Sequence, residues 1–105
     1  MNKKTVEVLN AIIRSIFIGI EGHGIPTSWI ELKMSIGCQA FGCYETTSHP
    51  LFIHKVLNIL EIEDISNIIG KSCRVRREDD TIIAIGHIVE EKWYCPREDK
   101  NKDKL

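Results

Sequence analysis

The chain has 105 residues, of which 43% are hydrophobic and 28% charged, with a formal net charge of -1. This is the size and composition of one ordinary soluble domain; it leaves no room for two and excludes a disordered chain. A near-neutral balance also lacks the basic signature of a duplex-binding protein, so any anion binding must come from a local cluster. A core of this size can be buried without staples. The four cysteines (Cys38, Cys43, Cys73, Cys95) form no CxxC pair. Met1 is followed by Asn2, Lys3 and Lys4 with no apolar leader, and no stretch approaches the roughly 18 apolar residues of a membrane span. A cytoplasmic protein with free thiols is expected.

In chain order, Val6 to Ile20 is dense in valine and isoleucine and runs into the turn-type cluster Glu21-Gly22-His23-Gly24. A helical stripe fits it as well, but β-branching and the turn favour a long strand, bulged near Asn10 where the alternation slips. Thr27 to Met34 alternates cleanly, with Ile30, Leu32 and Met34 on one side, and reads as the partner strand of a hairpin. Ile36 to Tyr44 contains a third strand interrupted by glycine. Ser48-His49-Pro50 starts a helix with Ser48 as N-cap and Phe52, Ile53, Val56, Leu57 and Leu60 as its buried stripe. A second short helix, about Asp64 to Ile69, buries Ile65, Ile68 and Ile69 and stops at Gly70. Ser72–Arg77 and Thr81–Val89 form a C-terminal hairpin around Glu78-Asp79-Asp80. The expected order is β-β-β-α-α-β-β: an α+β domain over residues 1–96 with a mostly antiparallel sheet, then a charged flexible tail at 97–105.

Arg74 and Arg76 fall on one face of the fourth strand, because strand side chains alternate with period two. Two guanidiniums on one face suit a phosphate or carboxylate bidentately. The same pattern equally serves a solvated edge strand with Glu78, Asp79 and Asp80 as loose partners. His23 and His87 each adjoin a glycine, which permits close ligand approach, though a structural histidine is the commoner outcome. Trp93-Tyr94 either stacks on a base or closes the sheet against a helix. Cys38 and Cys43, five apart in one strand, point to opposite faces, which argues against a zinc site. There is no GxSxG, HExxH, P-loop or GxGxxG. Neither catalysis, a cofactor nor a metal is expected.

Four segments taken together resemble a family of small phage and prophage proteins. They are Glu21-Gly22-His23-Gly24-Ile25-Pro26-Thr27, Gly37-Cys38-Gln39-Ala40-Phe41-Gly42-Cys43-Tyr44, Gly70-Lys71-Ser72-Cys73-Arg74-Val75-Arg76, and Ala84-Ile85-Gly86-His87-Ile88 with Lys92-Trp93. The size and strand–helix–strand order are similar to anti-defence proteins, in particular the Thoeris anti-defence sponges. That resemblance implies a non-enzymatic protein in the host cytoplasm that sequesters a cyclic ADP-ribose type signal in pockets between subunits. Arg74 and Arg76 would hold phosphates, assisted by Lys92 or His87, and Tyr44 or Trp93 would stack on a base, with His23 a further contact. A homo-oligomer is expected, since a domain this small forms a deep pocket more easily at an interface. The alternative is an anti-CRISPR-type inhibitor that blocks a host defence protein through an acidic face of Glu61, Glu63, Asp64, Glu90 and Glu91. Membranes and nucleic acid are not expected partners. Gly42-Cys43 stands where the family has two glycines before the tyrosine, and the connection after Tyr44 is short.

Overall fold

The Val- and Ile-rich N-terminal segment is a strand, β1 (Val6–Ile20), in a computed structural model that describes residues 5–20, 22–24, 26–43 and 49–96. After it come β2 (Pro26–Met34), β3 (Gly37–Cys43), helix α1 (His49–Leu60), one turn of 3-10 helix (Ile65–Asn67), β4 (Ser72–Glu78), β5 (Thr81–Gly86) and β6 (Trp93–Tyr94). The six strands form one antiparallel sheet in the order β3-β2-β1-β4-β5-β6, and the fold is α+β.

β1 serves two neighbours in turn. Val6 to Ile12 pair with β4, from Val6↔Glu78 to Ile12↔Ser72, whereas Ile12 to Ile20 pair with β2, from Ile12↔Lys33 to Ile20↔Pro26. The bulge lies between Ile13 and Ser15, close to where the strand changes partner, and not near Asn10. Arg14 is the extra residue, and an extra residue bends and twists the strand that carries it. The curl brings β3 towards β5, and Gln39 Nε2 donates to Asp80 O at 3.1 Å. This connectivity, with a long first strand shared between the two halves and a helix between β3 and β4, is that of the OB barrel extended by β6. Topology of this kind hosts many functions and identifies none.

The core lies between the curled sheet and α1. Phe52 and Val56 of α1 are fully buried against Ile13, Ile30, Leu32, Val75 and Ile85. The Phe52 ring meets Phe41 at 5.6 Å and Tyr94 at 6.0 Å between centroids. Each such side chain contributes about 1.5–3 kcal/mol by burial. The predicted stripe of α1 is therefore the packed one; its expected N-cap, Ser48, lies outside the described residues, as do Tyr44 and the tail at 97–105.

Two expected elements differ. The segment expected as a second helix makes a single 3-10 turn, capped by Asp64 Oδ1, which accepts from Ser66 N at 2.9 Å. Gly70, at φ 89, then donates its N–H to Ile13 O at 2.8 Å, which draws the chain into the sheet before a second turn can form. Of its three isoleucines only Ile68 is buried, and Ile69 is 53% exposed. The last strand stops at Gly86 instead of running to Val89, and after a loop at 87–92 the chain returns as β6, giving a sixth strand. No described helix is long and apolar enough to cross a membrane.

Candidate anion site on the outer face of the sheet

Register divides β4 between two faces. Cys73, Val75 and Arg77 point to the helix side and are buried, while Arg74 and Arg76 leave the opposite, outer face beside Asn10 and Val8 of β1. Arg77 is held inside by Glu7 at 2.8 Å and Asp80 at 3.0 Å. The shared face of Arg74 and Arg76, read from the period of two, is thus what the backbone produces.

Across the sheet, Arg74 stands opposite Gly86, and Gly86 opposite Trp93. A Cβ on Gly86 would lie 2.7 Å from the indole, so only glycine lets Trp93 lie flat over β5 and reach β4. The Cζ atoms of Arg74 and Arg76 stand 4.9 Å and 4.6 Å from the Trp93 ring centroid, within cation–π range.

The two arginines then take different parts. Arg74 Nε donates to His87 O at 2.8 Å, and its Nη2 to Glu90 O at 2.8 Å and Glu91 Oε1 at 2.9 Å. It ties the 87–92 loop to the sheet. Arg76 makes no hydrogen bond or ion pair among the described residues; its half-buried guanidinium lies over Trp93 and adds a small electrostatic pull on the Glu91 carboxylate. A stacked guanidinium is pre-organised for a two-oxygen anion.

His87 organises the same loop. Its Nδ1 accepts the amides of Val89 and Glu90 at 3.1 and 3.0 Å, and the His87 backbone N–H donates to Lys92 O at 3.0 Å. The other ring nitrogen stands 3.8 Å from Glu61 Oε1, and Lys92 Nζ donates to Glu61 Oε2 at 2.9 Å. Glu61 follows α1 at φ 58, with Glu61 N bonded to Asn58 O and Ile62 N to Leu57 O, the 5→2 and 6→1 bonds of a Schellman cap. The Lys92 ammonium, with a smaller part from His87, holds the Glu61 carboxyl below its usual range. Glu91 is likewise held low, first by its hydrogen bond from Arg74, then by that from Trp93 Nε1 at 3.3 Å.

The structure brings Arg74, Arg76 and Trp93 together on the outer face, whereas His87 and Lys92 belong to the adjoining loop and turn their side chains to Glu61 at the end of α1. His23 sits in the β1–β2 turn, past Ile20 at the end of β1, and Ile20 is itself ten residues, about 33 Å of strand, beyond Asn10. Tyr44 lies outside the described residues. Sequence reading missed Glu61 and Glu91 as members of this cluster. The signal available was a charged loop between two strands, directly after a glycine–histidine pair. Of the acids proposed as one face, Glu61 and Glu91 pair with cations and Asp64 caps the 3-10 turn.

Beside the tied loop an open groove of about 620 Å³ crosses the outer face, lined by Asn10, Ile12, Lys33, Ser35, Ser72 and Ile88 among others. It contains neither Arg76 nor Trp93. Elsewhere on the outer face Phe17 and Trp29 stack at 4.2 Å and 17°. Among the described residues no group of three or more His, Cys, Asp or Glu side chains is placed to hold a metal ion. Compared with protein-family models, curated proteins and solved structures, the chain matches none of them.

Proposed function

We propose that this chain is a non-catalytic binding protein for a nucleotide-like anion. The observation that carries the reading is the Arg76 guanidinium stacked on Trp93 with no ion pair among the described residues; a groove lies to one side, reaching Asn10 opposite Arg74 and Ile88 of the loop. In this reading Arg76 takes a phosphate, Trp93 fixes the plane of its fork, and Arg74, His87 and Lys92 hold the loop that frames the site. The resemblance to signal-sequestering anti-defence proteins supplies the ligand class to try first, a cyclic ADP-ribose type nucleotide.

Calorimetry against cyclic nucleotides, ADP-ribose isomers and a short oligonucleotide tests the reading. Arg76→Ala is expected to weaken binding about 10- to 100-fold, the loss of one or two charge-assisted hydrogen bonds. No binding at micromolar concentration by the unaltered protein across that panel sinks it.

A second copy of the chain is the expected partner. From Val6 to Asn10, β1 runs past the end of β2, so that edge has no strand neighbour among the described residues. Val6 and Val8 beside it are 55% and 50% exposed. An unprotected edge free of lysine and proline invites pairing, and antiparallel edge pairing is self-complementary about a two-fold axis. Native mass spectrometry showing only monomer at tens of micromolar protein would remove this partner.

A further inference from the structure

The loop that frames the site already holds an anion. Glu91 presents one carboxylate oxygen to Arg74 Nη2 at 2.9 Å and the other to the Trp93 indole N–H at 3.3 Å. These two donors stand beside Arg76, which shares the Trp93 ring. We propose that the Glu91 carboxylate is a resident stand-in for the ligand's phosphate or carboxylate, occupying its position until the ligand displaces it. The proposal rests on the binding reading above and adds to it where the anion sits and what competes for that place.

The pair is asymmetric in the way displacement requires. Arg74's side chain is 19% exposed and Glu91's is 78% exposed, so the cation is fixed and the carboxylate is free to swing into water. Arg74 keeps its bonds to His87 O and Glu90 O when Glu91 leaves, so the donor stays aimed. The indole hydrogen bond is longer than the usual 2.9–3.0 Å optimum, leaving room for a better acceptor. An exposed ion pair of this kind is weak, whereas a phosphate with several acceptor oxygens can engage Arg74, Trp93 and Arg76 together. The ligand group so defined is a compact anion with at least two oxygens on one centre, carried by a molecule able to lie along the adjoining groove. Lys92 is not part of this position, because Glu61 holds it at 2.9 Å.

The test is calorimetric titration of the full chain and its Glu91→Gln, Glu91→Ala and Glu91→Ala/Arg76→Ala variants with pyrophosphate and with ADP-ribose. Removing the competing carboxylate is expected to tighten binding about two- to fivefold in Glu91→Ala, with Glu91→Gln between, and the gain is expected to vanish in the double variant. Affinity unchanged or weakened in Glu91→Ala, with binding still weakened by Arg76→Ala, overturns the stand-in and leaves the site. Absence of binding by every variant overturns both.

Discussion

Glu61 stands in a left-handed backbone conformation that costs a side-chain-bearing residue about 1–2 kcal/mol. Its carboxylate gives a reason for its presence, since it receives Lys92 and faces His87, joining the end of α1 to the site loop. The sign of the pH effect follows from the lowered carboxyl. A group held below its unfolded value, about 4.3 for glutamate, contributes stability above that value and loses it as pH falls through the folded one. Amide exchange protection in the 87–92 loop, corrected for intrinsic rates, is therefore expected to hold at neutral pH and to fall as Glu61 is protonated. Glu61→Gln should show the lower protection already at pH 7, and equal protection in the two proteins would contradict the link. At this scale the common face of Arg74 and Arg76 was legible, because two-residue alternation needs only β4 itself. Their division of labour was not, since it depends on carbonyls and a carboxylate 13 to 17 residues further on.

Among the elements, β5 and β6 position the indole through one glycine. Gly86→Ala would place a methyl 2.7 Å from the Trp93 ring, and overpacking of this kind costs about 1–3 kcal/mol. Thermal denaturation should register that loss, and Trp93 should move off β4 with a shift in its fluorescence; an unchanged melting temperature would contradict the close packing. Gly86 was noted in the sequence as a place of close approach, and the approach is by the protein's own tryptophan. The strands of the N-terminal half and the stripe of α1 were readable from periodicity because each is long enough to repeat its pattern. β6, two residues long, has no period to read. The expected second helix failed for the same shortness, since a single turn follows whichever contact is nearest, here Asp64 at its start and Ile13 at its end.

At the scale of the whole molecule, the bulged β1 divides the chain's work. Its C-terminal half builds the hairpin carrying His23 and the Phe17–Trp29 stack, and its N-terminal half faces β4 and the arginine cluster. Sharing one strand between two halves could not be read from local pattern, because it depends on where β2 ends and β4 begins along the same fifteen residues. The arrangement also supplies an internal control, since one of the two tryptophans lies in the cluster and the other outside it. The most direct measurement is a pyrophosphate titration followed by the two indole N–H signals in a nitrogen–proton correlation spectrum, in the unaltered protein and in Arg76→Ala. The Trp93 signal is predicted to move saturably as Glu91 gives up its indole hydrogen bond, the Trp29 signal to stay, and the response to be lost in Arg76→Ala. A Trp93 signal that does not move, or that moves equally without Arg76, contradicts the account.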